Sequence, residues 1–197
     1  DIEKAHAAKI TLLDRQIGRL LRQLKKIGVL DNTLVVLTSD NGPHFAPGGH
    51  DYEFFDSNGP LRGGKRDLYE GGIRVPMLVS WRGNVSPATT TKHILGFQDV
   101  MPTFAEIVGA PIPEQMDGLS FLPLLLGAPQ KKHEFLNWEY QMSGWFQTLP
   151  KGGFRQSIRR ENWKAVRYGV NTETELYNLD YDISEAQNLA KSYPQIV

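Results

Sequence analysis

Two polar segments of this 197-residue chain contain residue types that could do chemistry. The first is TSDNG, Thr38 to Gly42, which directly follows the apolar run Leu34 to Leu37. Asp40 and Asn41 offer a carboxylate and an amide oxygen, the ligand types that calcium prefers. An Asn–Gly pair is also a strong turn signal, so this stretch alone favours a plain turn over a metal site.

The second segment is GPLRGGKRDLYEGGIRVP, Gly59 to Pro76. Lys65 follows two glycines there, so the main chain and the ammonium group could both approach an anion closely. A glycine-rich hairpin with a solvated Lys–Arg tip is the alternative interpretation. A phosphate-cradling loop is a poor one, because the spacing of a P-loop motif is absent.

The elements that must position these residues have the order of an α/β sheet. Residues 3–27 are predicted to form an amphipathic helix that stops at Gly28. Residues 34–37 are apolar without alternation, which is typical of a parallel strand covered on both faces. Ligand sites in open α/β sheets lie beyond the carboxyl ends of strands, where Asp40 and Asn41 fall.

The rest of the chain predicts a long loop and then a second kind of domain. Glycine-rich residues 42–74 form the loop, residues 75–81 form another buried strand, and Asp99 caps a helix over residues 100–108. Further strands are predicted at 134–140, 154–160, 163–168 and 176–179. We therefore expect an α/β domain over residues 1–128 and a small α+β subdomain with an antiparallel sheet over 129–197.

Composition argues against several classes of function. Lys plus Arg equals Asp plus Glu at 22 each, which argues against nucleic acid as a partner. No apolar run is long enough to span a bilayer. The chain has no cysteine, so it contains no disulfide, no thiolate zinc site and no cysteine nucleophile.

The two polar segments together, in this order, resemble the sulfatase family, the formylglycine-dependent, arylsulfatase-type enzymes of the alkaline phosphatase superfamily. The resemblance covers nearly the whole chain and includes LDRQIGRLLRQLKKIGVLDNTLVVLTSDNGP, YEGGIRVP, DVMPTFAEIVGA, DGLSFLPLL and ELYNLDYDISEAQNLA. It implies an alkaline-phosphatase-like α/β sheet sandwiched by helices, followed by the small C-terminal subdomain. It also implies a sulfuric ester hydrolase that acts on sulfate monoesters, with sulfated sugars as the expected substrates.

The resemblance assigns roles to three residues. Asp40 and Asn41 match the family's second pair of metal ligands, which hold calcium. Lys65 matches the lysine that contacts the sulfate ester near its leaving-group oxygen, where it would stabilise developing negative charge. On this interpretation the strand ends in an acid and an amide because both deliver oxygen ligands to a cation.

The family's nucleophile is missing from this chain. It lies in a Cys- or Ser-x-Pro-x-Arg motif near the start of these enzymes, where it is oxidised to formylglycine. Neither form occurs here, and Asn58 to Arg62 has the Pro-x-Arg half by chance. The chain therefore resembles the C-terminal portion of a sulfatase, with an incomplete calcium site, and we expect it to be inactive alone and to self-associate.

The loop between the two motifs contains residues that could bind the substrate. His44, His50 and Asp51 lie there, and Arg62 could aid anion binding. A surface loop stapled by its aromatic residues is an equally good interpretation. His93 and His133 have no motif around them and are expected to be structural or solvated.

Two other functions stay open at this point. One is a phosphoester or phosphonate hydrolase of the same superfamily, which shares metal-binding strand ends. The other is a non-catalytic domain that binds sulfated glycans or a protein partner. By family analogy the compartment would be periplasmic, extracellular or lysosomal, and the sequence does not choose among them.

Overall fold

The computed structural model describes residues 2–44, 51, 53–142 and 153–197. Its contacts divide the chain into two compact units. The first unit comprises Asp1–Lys9, Thr38–Pro76 and Phe135–Val197, and the second comprises Ile10–Leu37 and Met77–Glu134. The predicted domain boundary near residue 128 stays a prediction, since these units combine segments from both sides of it.

The elements that the sequence predicts occur in the predicted order, and the structure adds two four-residue helices that were not predicted. The helices are α1 (Ile2–Lys26), α2 (Glu70–Ile73), α3 (Val100–Val108) and α4 (Leu122–Leu125). The strands are β1 (Val35–Thr38), β2 (Met77–Ser80), β3 (Leu136–Gln141), β4 (Phe154–Arg160), β5 (Trp163–Tyr168) and β6 (Glu175–Asn178). The single turn α2 lies inside the segment that the sequence predicts to be a loop.

The predicted burial of the first helix and of the first two strands is not found within this chain. β1 and β2 pair in a two-stranded sheet, and neither strand contains a buried residue. None of the described residues of α1 is buried either, and its apolar side chains include Leu13 at 55% and Leu20 at 60% exposure. These elements have the apolar faces of a covered layer, but the layer that would cover them is not among the described residues.

α3 begins and ends where the sequence predicts, but its cap differs. Gly109 ends the helix in the left-handed conformation at φ 67°. The fully buried Asp99 occupies the cap position, yet its side chain makes no capping bond and instead accepts from the amides of Gly96 and Leu119. His133 lies 2.7 Å from the same carboxylate, so this histidine is structural, as expected.

The first unit contains the predicted antiparallel sheet, with strand order β3-β4-β5-β6. β4 and β5 form the predicted hairpin, in which Arg160 pairs with Trp163 across a turn at Glu161 and Asn162. Val166, Tyr177 and Leu179 make the buried core beside this sheet. Tyr69, from the glycine-rich segment, packs into the same core, so the sheet supports that segment directly.

No helix in the described ranges is both long enough and apolar enough to cross a bilayer.

Candidate active site

The turn after β1 is held by its own hydroxyl and amide side chains. Thr38 Oγ1 donates to the carbonyl of Pro76 at 2.9 Å, and Ser39 Oγ donates to the carbonyl of Asn41 at 2.8 Å. The Asn41 amide nitrogen donates to the Gly42 carbonyl at 2.9 Å. Since the nitrogen is engaged, the amide oxygen of Asn41 is the atom able to meet a cation.

The lysine segment is joined to this turn through the main chain. The Lys65 amide donates to the Pro43 carbonyl at 2.8 Å, and the Gly42 amide donates to the Gly72 carbonyl at 3.0 Å. A Cβ on Gly42 would lie 1.7 Å from the Gly71 carbonyl oxygen, so only glycine allows this approach. Asp40, Asn41 and Lys65 are thus carried by two segments that are fastened to each other.

The donor set fits a hard cation in kind but is incomplete in number. Asp40 is exposed and Asn41 is half-buried, so neither residue is closed off from solvent. Calcium takes six to eight oxygen ligands, and two side chains cannot supply them. No group of three or more His, Cys, Asp or Glu side chains suited to a metal occurs in the described residues.

The predicted substrate-binding residues are dispersed over different contacts. The half-buried His44 has its Nε2 atom 3.4 Å from Arg66 Nη1. Asp51 accepts from the Glu53 amide at 2.9 Å, and its own amide donates to Glu3. His50 lies outside the described residues. Their role in substrate binding stays a prediction.

Arg62 is held against the C-terminal sheet. Its guanidinium donates to Tyr177 Oη and to the Glu185 carbonyl, both at 2.9 Å, and lies 3.8 Å from the centre of the Tyr69 ring. Tyr69 donates to Glu175 at 2.6 Å, and burial together with this bond raises the pKa of Tyr69 above its ordinary value. These contacts give Arg62 a structural function whatever else it binds.

Sequence reasoning missed the charged cluster beside Lys65. Asp67 Oδ1 accepts from Arg155 Nη1 at 2.7 Å and from Tyr168 Oη at 3.0 Å. Asp67 Oδ2 accepts from the Gly64 amide at 3.1 Å. Glu70 forms a short-range pair with Arg74 at 3.3 Å, four residues further along the chain. Asp67 instead pairs with an arginine from β4, 88 positions away in sequence.

A second missed cluster is fully buried. Lys164 Nζ lies 2.9 Å from a carboxylate oxygen of Glu70 and 2.9 Å from one of Glu185. The Glu70 amide donates to Glu185 Oε2 at 2.6 Å. The other carboxylate oxygen of Glu70, Oε2, lies 3.4 Å from Arg159 Nη1 and 3.3 Å from Arg74 Nη1.

The pKa values of the two carboxyl groups in this cluster are shifted in opposite directions. Burial opposes ionisation of Glu70, but the attraction and hydrogen bond of Lys164, with Arg159 and Arg74, outweigh it and lower the pKa of Glu70. Burial raises the pKa of Glu185, and the attraction of Lys164 does not fully compensate. The strand periodicity of β5 gives one hint, since Lys164 shares a face with the buried Val166.

Family models match both parts of the chain. Residues 4–110 match the model described as sulfatase, and residues 61–196 match the one described as N-sulphoglucosamine sulphohydrolase, C-terminal. The steryl-sulfatase of Rattus norvegicus is 43% identical over 136 residues, which cover 67% of this chain and 24% of that protein. The N-acetylgalactosamine-6-O-sulfatase of Bacteroides thetaiotaomicron is 31% identical, over 95% of this chain and 39% of that protein.

Solved structures share the fold. The crystal structure of Ps i-CgsB matches all of this chain (100%) and 41% of its own, at 31% identity and a TM-score of 0.82. The phosphonate monoester hydrolase of Agrobacterium radiobacter matches 95% of this chain and 37% of its own, at 24% identity and a TM-score of 0.69. These matches confirm the predicted alkaline-phosphatase-like fold class. The chain spans less than half the length of each protein compared.

Proposed function

Because the chain belongs to the sulfatase family and corresponds to its C-terminal portion, we propose that the whole protein hydrolyses sulfate monoesters with the help of calcium. One observation carries the proposal. The turn with Asp40 and Asn41 and the loop with Lys65 are fastened by the amides of Lys65 and Gly42, so the two motifs lie next to each other in the first unit.

Asp40 and Asn41 would hold the cation. A carboxylate brings negative charge and an amide brings a neutral oxygen, a combination common in calcium sites. When bound, calcium supplies charge neutralisation and orientation for the sulfate oxygens. The remaining ligands would come from other parts of the protein, since two side chains are fewer than the six to eight oxygen ligands that calcium takes.

Lys65 would stabilise the negative charge that develops on the leaving-group oxygen. Its loop is fixed at the amide, which places the base of the side chain beside the turn with Asp40 and Asn41. The chain contains no cysteine and no Ser-x-Pro-x-Arg motif, so the nucleophile also has to come from elsewhere in the protein.

The proposed substrate class is a sulfated sugar. The N-acetylgalactosamine-6-O-sulfatase relative aligns with almost the whole chain, whereas the steryl-sulfatase relative aligns with two thirds of it. The segment after the turn with Asp40 and Asn41 also carries the polar residues His44 and Asp51, which would hydrogen-bond to sugar hydroxyl groups.

Two alternatives remain distinct from this proposal. A phosphonate or phosphoester hydrolase is supported by the fold shared with the phosphonate monoester hydrolase. A non-catalytic domain that binds sulfated glycans is supported by the absence of a nucleophile motif in this chain. Retention of Asp40, Asn41 and Lys65 together favours a catalytic origin, because a binding domain has no need of a leaving-group lysine.

The test is a direct comparison of substrates. The purified full-length protein is assayed with an aryl sulfate, an aryl phosphonate monoester and a sulfated N-acetylhexosamine, each with added calcium and with chelator. We expect sulfate ester hydrolysis that chelator abolishes and calcium restores. Faster hydrolysis of the phosphonate than of the sulfate would show that the protein is a phosphonate or phosphoester hydrolase. Binding of the glycan without turnover of any ester would show that it is a non-catalytic binding domain.

A further inference from the structure

The lysine loop is irregular and needs external support. Residues 63–67 form neither helix nor strand, and two of them have left-handed backbones, Gly63 at φ 79° and Arg66 at φ 80°. Arginine rarely adopts this conformation, because its Cβ crowds the neighbouring carbonyl oxygen. A residue held there next to Lys65 implies that surrounding contacts determine the loop's shape.

The contacts that determine it come from the C-terminal sheet. Arg155 Nη1 donates both to the Arg66 carbonyl and to Asp67 Oδ1, each at 2.7 Å. Tyr168 Oη donates to Asp67 Oδ1 and accepts from the Leu68 amide at 3.1 Å. Arg155 and Tyr168 are register partners on β4 and β5. One pair of neighbouring strand residues therefore hydrogen-bonds to the loop from Arg66 to Leu68.

The interior of the loop is closed by Asp67 as well. Its Oδ2 atom accepts from the Gly64 amide, and a Cβ on Gly63 would lie 2.9 Å from the Asp67 side chain. The side chains of Arg155 and Asp67 are 14% and 17% exposed, so water screens their attraction little. The guanidinium also lies 4.3 Å from the centre of the Tyr168 ring.

The negative charge of Asp67 affects the nearby ammonium group of Lys65. Asp67 lies two residues from Lys65, and an uncompensated carboxylate there would attract the ammonium. Arg155 and Tyr168 engage one oxygen of Asp67, and the Gly64 amide engages the other. The negative charge is therefore compensated within the cluster, and Lys65 stays available to an external anion.

We propose that Arg155 and Asp67 form a clamp that positions Lys65 and keeps its ammonium directed at the substrate. Both are positioning residues, since they act through the lysine and its loop. The proposal rests on the function proposed above for Lys65. It extends that site to the C-terminal sheet, which carries none of the predicted site residues.

One experiment tests the clamp without any activity. Hydrogen–deuterium exchange of the full-length protein is followed by mass spectrometry on peptides covering residues 62–69, for wild type and Arg155→Met. Exchange in this segment should accelerate about tenfold or more in the variant, with other segments unchanged. The matched control is Arg82→Met, which removes an exposed Arg–Asp pair of 3.1 Å in the second unit. Unchanged exchange at residues 62–69 would overturn the clamp.

The second arm measures kcat for aryl sulfates with leaving groups of graded pKa. Arg155→Met should lower kcat about 100-fold for the poorest leaving group and less for the best. In the Lys65→Ala background the same change should alter kcat by about twofold at most. Arg155→Met/Asp67→Asn should recover about tenfold of the loss in Arg155→Met, because the unpaired carboxylate is gone, and should stay below wild type, because the loop is no longer clamped.

The outcomes separate the clamp from a general structural role. Two results together would mean that Arg155 only stabilises the fold. The first is a loss of kcat in Arg155→Met that is equal for all leaving groups, and the second is the same loss in the Lys65→Ala background. Failure of Asp67→Asn to recover activity would overturn the charge argument. If the full-length protein hydrolyses no sulfate ester, the proposed function fails, while the exchange measurement still decides whether the clamp exists.

Discussion

At the residue scale, the chemistry proposed for this chain rests on three side chains with different degrees of fixation. Asn41 is oriented by its bond to the Gly42 carbonyl, and Lys65 is fixed at its amide. Asp40 is exposed at the tip of the turn. This arrangement suits ligands that complete their coordination with groups from another part of the protein.

The role of Lys65 predicts a dependence on the leaving group. Lys65→Ala in the full-length protein should lower turnover of sulfated sugars by about 10²- to 10³-fold, and turnover of an activated phenyl sulfate much less. The charge that needs stabilisation is larger on the poorer leaving group. Lys191→Ala, which removes an exposed lysine, serves as the control. Equal losses on both substrates would make Lys65 a general sulfate binder.

The buried acids predict opposite dependences of stability on pH. The folded pKa of Glu70 is lowered from 4.5, so its ionised form stabilises the fold above that pH and the contribution is lost as pH falls through the folded pKa. Glu70→Gln should therefore cost about 3 kcal/mol of unfolding free energy at pH 7, and progressively less below about pH 4.5.

Glu185 provides the matched comparison. The pKa of Glu185 is higher in the folded than in the unfolded state. The unfolded state therefore ionises first, and the fold loses stability as pH rises from the unfolded pKa to the folded pKa. The stability of Glu185→Gln relative to wild type should consequently increase with pH, opposite to Glu70→Gln. Urea unfolding between pH 4 and pH 7 measures both. Parallel pH dependences for the two variants would contradict the assignment of charge within the cluster.

At the element scale, the site depends on the close approach of the turn after β1 to the start of α2. The Gly42 Cα faces the Gly71 carbonyl at a distance that no side chain permits. The C-terminal sheet holds α2 through Glu70, and this backbone contact links the position of α2 to that of the turn with Asp40 and Asn41.

Gly42→Ala should break this approach. We expect a loss of about 1–3 kcal/mol in unfolding free energy, together with weaker calcium dependence of the full-length protein, because the turn must move away from α2. Gly59→Ala is the control, since Gly59 has positive φ but nothing within 4 Å of an added Cβ. Thermal unfolding and a calcium titration of activity check the pair. Similar effects on calcium dependence in both variants would contradict a specific role for Gly42.

Regular elements could be predicted from the sequence because their signals are local. The β4–β5 hairpin, α1 and α3 follow from alternation, periodicity and glycine stops, and their bounds agree with the prediction to within a residue or so. The α2 turn could not be predicted, because its Glu-Gly-Gly-Ile sequence opposes a helix and its support comes from tertiary contacts, among them Lys164 and Glu185 with Glu70.

The site was predictable only in part, for a related reason. The motif residues Asp40, Asn41 and Lys65 are recognisable in sequence, whereas the hydrogen bonds that join their two chain segments are seen only in the structure. The supporting pair Arg155 and Asp67 is separated by 88 positions, and nothing local in either segment indicates the other. Contacts between distant segments arise from tertiary packing, which a single sequence does not reveal.

At the scale of the whole molecule, the chain has surface that it does not cover. α1, β1 and β2 contain no buried residue, although their sequences are those of covered elements. The chain also spans a minority of the length of its relatives, 24% and 39% for the two compared. We infer that other parts of the parent fold pack against these faces.

The isolated chain should therefore self-associate and be inactive. Exposed apolar faces and a sheet edge favour a dimer or larger assembly. Without a formylglycine precursor the chain should hydrolyse no sulfate ester, even in excess calcium. Light scattering and an aryl sulfate assay on the isolated chain check both statements. A monomer would show that it closes its own core, and turnover that vanishes in Lys65→Ala would mean that the nucleophile lies within it.

The central claim is that this chain contributes Asp40 and Asn41 to a calcium site at which a sulfate ester is hydrolysed. The most direct measurement is the calcium dependence of aryl sulfate turnover by the full-length protein with Asp40→Ala. Glu114→Ala, which removes another exposed carboxylate, is the control. We predict a loss of about 100-fold or more at calcium that saturates wild type, partly restored by excess calcium. Wild-type turnover and calcium dependence in Asp40→Ala would contradict the account.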